Sequence, residues 1–138
     1  MMTPHQISLV QKTWALAEPL GDTVTTLFYG RLFELDPGLR SLFKADMQEQ
    51  GRSLRTMLSL VITGLTQMDR LAPAIAACGR RHVAYGVSDS QYDTVGEALY
   101  WTLEQGLRGH YTDEVHKAWK ATYEFMAGAM KQAAHMPA

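Results

Sequence analysis

Several features that would quickly narrow a function are scarce in this sequence. It holds one cysteine, Cys78, in 138 residues, so no disulfide closes within the chain and the fold rests on packing. No apolar run approaches the ~20 residues of a membrane-spanning helix; Leu58-Ser59-Leu60-Val61-Ile62 is typical of the longest. The start, Met1-Met2-Thr3-Pro4-His5-Gln6, lacks the basic head and apolar centre of a secretory leader, so a cytoplasmic location is expected. Thirteen Lys and Arg stand against 14 Asp and Glu, a net charge of −1. That balance gives no reason to expect nucleic acid or an anionic membrane as partner. Repeats, low-complexity tracts and Pro-, Gly- or Ser-rich linkers are missing too, so residues 1–138 read as one domain. A chain of this length buries about two-thirds of its unfolded surface around a single core.

Helical spacing of apolar residues is what the sequence does have, nearly from end to end, with no strand pattern. Helix starts are legible. Thr3-Pro4-His5-Gln6 combines a capping threonine, a first-turn proline and glutamine at the box position. Asp36-Pro37 opens a short helix in the same manner, and Asp46-Met47-Gln48-Glu49 and Ser88-Asp89-Ser90-Gln91 have capping-box composition. Thr112-Asp113-Glu114 supplies a cap followed by acidic residues suited to the positive helix end. These signals predict helices over 4–18, 20–35, 37–43, 47–67, 71–84, 89–107 and 112–134, an all-α globule. Gly86 and Gly109 fall just past predicted ends, where a left-handed residue is wanted.

One apolar stripe ends on a polar residue. Leu71, Ile75, Cys78 and His82 recur at helical spacing, so the imidazole faces inward. A buried, hydrogen-bonded core histidine would satisfy that pattern alone. Arg80 and Arg81 flank the inward face, which suits an anionic group at a pocket mouth, and Tyr92 follows at the start of the next helix. The preceding helix carries Gln50, Ser53 and Leu54, with Gln50 a polar residue aimed at an apolar interior. Zinc wants three or four ligands, and none of His5, His110, His116 or His135 completes such a set with His82. A single imidazole suits a metal whose equatorial ligands arrive with a cofactor, as in haem.

Over nearly its full length the chain resembles the globins, specifically bacterial single-domain globins and the haem domain of flavohaemoglobins. The residues that carry the resemblance are Leu27-Phe28-Tyr29, Asp36-Pro37 with Leu42-Phe43, Gln50 with Leu54, Arg80-Arg81-His82, Tyr92 with Val95-Gly96, and Ala118-Trp119 with Tyr123. The resemblance implies a three-over-three globin fold enclosing one haem b. By the same resemblance His82 is the proximal iron ligand, Phe43 wedges against the haem face, and Tyr29 and Gln50 are the distal pair. Leu54 and Phe28 belong beside them at the ligand site. Ser53, Met57, Cys78, Tyr85, Val87, Tyr92 and Val95 are expected against the cofactor, with Arg81 at a propionate and Cys78 acting as a small hydrophobe.

Two distal hydrogen-bond donors favour a ligand with partial negative charge, so the expected function is reversible, tight binding of dioxygen for transport or storage. The alternatives are nitric oxide dioxygenase chemistry served by a separate reductase, and a sensor of diatomic gases. No histidine lies between His5 and His82, so two-imidazole coordination is not expected. The sequence departs from the flavohaemoglobin pattern twice: no flavin or nicotinamide segment follows, and the last helix reads Gln132-Ala133-Ala134-His135-Met136 where a proximal carboxylate is expected. A monomer or weak homodimer is the expected assembly.

Overall fold

The structure, a computed structural model, describes residues 2–43, 46–84 and 86–134. All regular structure among them is helical: α1 (Pro4–Ala17), α2 (Asp22–Leu35), α3 (Met47–Thr63), α4 (Met68–Ala84), α5 (Asp89–Leu107) and α6 (Asp113–Ala134). Three short 3-10 segments, Glu18–Leu20, Pro37–Leu42 and Arg108–His110, turn the chain between them. Among the described residues no helix is long and apolar enough to cross a membrane.

The caps explain the starts. Thr3 accepts from the Gln6 amide at 3.1 Å while the Gln6 side chain accepts from the Thr3 amide at 3.0 Å, the reciprocal box expected at α1. Asp46 caps α3 by accepting from the Gln48 amide at 3.2 Å, without the return bond from Glu49 that composition suggested. The Gln91 side chain accepts from the Ser88 amide at 2.8 Å at the start of α5. Four expectations need correction. Residues 37–42 form 3-10 rather than α structure, with Asp36 accepting from the Gly38 amide at 3.1 Å. Helix α3 stops at Thr63, four residues short of the predicted end, because Gly64 caps it. Helix α4 begins at Met68, so Pro73 lies inside it rather than in its first turn. Past α5 the positive φ falls on Arg108 (φ 50°) rather than on Gly109, whereas Gly86 has φ 92° as expected.

A core centred on Val10, Trp14, Leu32, Val61, Ile62, Leu103 and Trp119 is shut away from solvent, each residue no more than 5% exposed. Trp14 and Trp119 meet edge to face at 6.1 Å, and their indole N–H groups donate to Ser59 (2.9 Å) and Thr13 (2.8 Å). Both polar atoms are thereby paired in a dry interior, where an unpaired one costs about 1–3 kcal/mol.

Helix pairing positions the functional residues. The main packings are α4 on α6, α2 on α5, α1 on α6 and α2 on α3. Helices α3 and α4 follow one another in the chain but are not a major pair. Glycines set two close approaches. A Cβ on Gly79 would sit 2.4 Å from the Met130 carbonyl oxygen, so α4 and α6 touch backbone to backbone there. A Cβ on Gly51 would meet the Thr25 hydroxyl at 2.9 Å, which draws α3 onto α2 beside Gln50.

Gly79→Ala forces α4 off α6 and lowers stability by about 1–3 kcal/mol, as overpacking does; a urea midpoint equal to wild type would contradict this contact. Arg108 shares its backbone geometry (φ 50°, ψ −118°) with Gly21 (φ 55°, ψ −121°). That region strains an L side chain by roughly 1–3 kcal/mol. Arg108→Gly therefore raises the thermal midpoint.

Candidate functional site

Two clusters of expected residues form, one before and one after the turn between α3 and α4 in the chain order. The first lies on α2, α3 and the 3-10 segment before α3. Tyr29 is 8% exposed and packs edge to face on Phe28 (5.0 Å) and Phe43 (5.4 Å), and it stacks on Phe33 at 6.1 Å. Its hydroxyl donates to the Gln50 main-chain oxygen at 3.4 Å, a long bond. Burial pushes the Tyr29 phenol up to about 12, with hydrogen bonding from Gln50 opposing the shift. The hydroxyl therefore keeps its proton, and its role as donor, at any ordinary pH. Leu54 and Met57, on the same helix as Gln50, are half-buried against the core; Ser53 is exposed.

The second cluster lies on α4 and α5. His82 Nδ1 is 2.7 Å from the Cys78 carbonyl oxygen, one turn back on its own helix, and 3.6 Å from Cys78 Sγ. A carbonyl can only accept, so Nδ1 carries the proton and Nε2 is the basic nitrogen of the neutral ring. Tyr92 stacks with the imidazole at 6.3 Å and 30°. It is 6% exposed, yet its hydroxyl has no hydrogen-bond partner among the described residues. Burial pushes that phenol up, helped by the neighbouring Cys78 and Asp89. Burial also raises the Cys78 thiol, against the pull of Arg81, which is itself exposed. Val87 and Val95 are half-buried nearby in sequence, and Tyr85 lies outside the described residues.

Two contacts at this cluster were not anticipated. The Tyr123 hydroxyl donates to the Tyr92 carbonyl at 2.6 Å, tying α6 to the first turn of α5. The Lys131 ammonium lies over the Tyr92 ring, 5.5 Å from its centre. Lys131 immediately precedes the segment in which a carboxylate was sought, and its position eight residues after Tyr123 puts it near the same face of α6.

These observations fit a haem. A proximal imidazole needs one nitrogen held and the other basic, as at His82. The first cluster offers a protonated donor in apolar surroundings. Outside these clusters, a groove of about 480 Å³ between α2 and α5 and one of about 260 Å³ between α4 and α6 are surface features that do not include His82. Among the described residues, no group of three or more His, Cys, Asp or Glu could hold a bare metal ion.

Tyr92→Phe removes a buried hydroxyl that has no partner among the described residues and is expected to leave the apoprotein as stable as wild type or more so; a clear loss in the urea midpoint would show that the hydroxyl is paired. Burial also pushes Tyr100, Tyr111 and Tyr123 up. A phenol whose folded pKa exceeds its unfolded one stabilises fully below about pH 10 and loses that stability as pH rises through the folded value. For Tyr29 the window is from 10.0 to about 12. The chain should accordingly unfold with a steep alkaline limb above pH ~10, read by tyrosinate absorbance together with circular dichroism.

Comparison with known proteins agrees with this fold. A flavohemoprotein of Xylella fastidiosa (strain Temecula1) is 32% identical over 132 residues, covering 94% of this chain and 33% of its own length. One from Vibrio cholerae is 29% identical over 130 residues, again with 33% of its length covered. The chain thus spans about a third of the curated relatives it matches. Among solved structures, a bacterial globin from Campylobacter jejuni superposes with a TM-score of 0.83 at 20% identity, covering 96% of both chains. An engineered carbene transferase from Rhodothermus marinus superposes with a TM-score of 0.88 at 23% identity, covering 97% of this chain and 94% of its own. The globin family profile matches residues 26–130, three-quarters of the sequence, and the chain belongs to the globins.

Proposed function

We propose that this globin holds haem b through His82 and binds dioxygen reversibly, with Tyr29 and Gln50 retaining the ligand. The observation that carries this reading is the 2.7 Å contact from His82 Nδ1 to the Cys78 carbonyl. It fixes the tautomer and presents a basic Nε2 from a ring whose rotation is restrained. Haem, when bound, would supply an iron able to bind a diatomic gas, held to the protein through His82. Phe43, Leu54, Met57, Cys78, Val87 and Val95 would supply apolar surface for the macrocycle, Ser53 would lie against it, and Arg81, which is exposed, would meet a propionate.

Tyr29 sets retention. Its long bond to the Gln50 carbonyl, 3.4 Å, is readily exchanged for a better acceptor entering the cluster. The phenol would donate to a gas that gains partial negative charge on binding, as dioxygen would and carbon monoxide much less, so this donor would separate the two gases. Hydrogen bonds to charged groups contribute roughly 1.5–3 kcal/mol, and about 1.4 kcal/mol is tenfold in affinity. The Gln50 amide is the second donor.

A second reading, nitric oxide dioxygenase served by a separate reductase, is favoured by the likeness to flavohemoproteins, of which this chain spans about a third. Nitric oxide consumption by the oxygenated protein, sustained by an added reductase over many turnovers, would select it; a single turnover followed by arrest would favour simple binding. Tyr29→Phe should release dioxygen about tenfold faster in stopped-flow while leaving carbon monoxide release unchanged. Equal acceleration of both gases would remove the donor role.

A further inference from the structure

Helix α6 passes α4 backbone to backbone at Gly79 and Met130, three residues before His82 on one side and one residue before Lys131 on the other. That contact carries the Lys131 stem toward the proximal cluster. Its ammonium rests over the Tyr92 ring at 5.5 Å, and the same ring stacks with His82 at 6.3 Å. Lys131 is half-buried, so its charge is less screened than that of a fully solvated lysine. The Tyr123 hydroxyl, bonded at 2.6 Å to the Tyr92 carbonyl, holds the shared ring in place from the same helix. The Tyr92 hydroxyl takes no hydrogen bond from the described residues, so its ring meets the lysine through its π face. Asp89 also acts on the Tyr92 phenol, and Arg81 is exposed one residue before His82.

We propose that Lys131 tunes the oxidation state of the haem, biasing it toward the ferrous form that binds dioxygen. This rests on the haem reading above. Ferric haem carries one more positive charge than ferrous haem. A cation one ring away from the proximal imidazole therefore raises the energy of the ferric state more than that of the ferrous state. The Nδ1 hydrogen bond to a neutral carbonyl works in the same direction, since it gives the imidazole less anionic character than a carboxylate acceptor would. Lys131 acts through its charge and touches neither the imidazole nor a ligand.

The test is spectroelectrochemical titration of the haem-loaded wild type with Lys131→Arg, Lys131→Met and Lys131→Glu. Lys131→Met should shift the ferric-to-ferrous equilibrium toward ferric by roughly three- to tenfold, Lys131→Glu should shift it further, and Lys131→Arg should stay near wild type. Raising ionic strength should compress the spread. A merely structural lysine would order the variants by size and shape, not by charge. Identical equilibria for wild type, Lys131→Met and Lys131→Glu, in proteins with normal haem spectra, would overturn this inference alone. A wild type that takes up no haem on titration with hemin would overturn both this inference and the haem reading.

Discussion

The hydrogen bond between His82 Nδ1 and the carbonyl of Cys78 is the constraint on which the rest of the site depends. It is local, closing one helical turn, and so it survives any rearrangement that leaves α4 helical. Its effect is chemical: the nitrogen that bonds the carbonyl must hold the proton, leaving the opposite nitrogen basic. An imidazole without such a partner could adopt either tautomer and several ring orientations. With it, ring plane and donor atom are set before any cofactor arrives, and Tyr92 stacking at 6.3 Å adds a second restraint.

What surrounds that imidazole depends on helix pairing. Gly79 lets α6 reach α4 main chain to main chain, and Tyr123 ties α6 to the beginning of α5. The cluster around His82 is therefore assembled from three helices, with a lysine rather than a carboxylate over the tyrosine ring. On the other side, Gly51 against Thr25 brings α3 onto α2, and the adjacent Gln50 comes within reach of the Tyr29 hydroxyl. In both places a glycine in helix contact positions the residue that carries the chemistry.

Much of the architecture was readable because its causes are local. Thr3, Asp36 and Asp46 begin their elements where their side chains predict, since each accepts from an amide within three residues, and at Ser88 the start is held by the Gln91 side chain accepting from the Ser88 amide. The inward turn of His82 followed from spacing alone. The misreadings have equally plain causes. Pro37 and Asp36 announce a start but do not distinguish 3-10 from α structure, which six residues are too short to settle by periodicity. Leu65 continues the apolar stripe of α3 beyond its end, because a buried loop residue reads like a helical one. Gly109 drew the expected positive φ away from Arg108, its neighbour, because composition marks a turn more sharply than the residue within it.

The sequence by itself determined the helical class, the capped starts and an inward imidazole, because these follow from interactions within about one helical turn. The tertiary structure decided which helix faces meet. It set the Tyr29 hydroxyl against the Gln50 main chain, left the Tyr92 hydroxyl without a partner among the described residues and laid Lys131 over that ring. Those contacts join residues 21 and 39 positions apart, and such pairings are fixed by how closely backbones can approach, which periodicity along one helix does not encode.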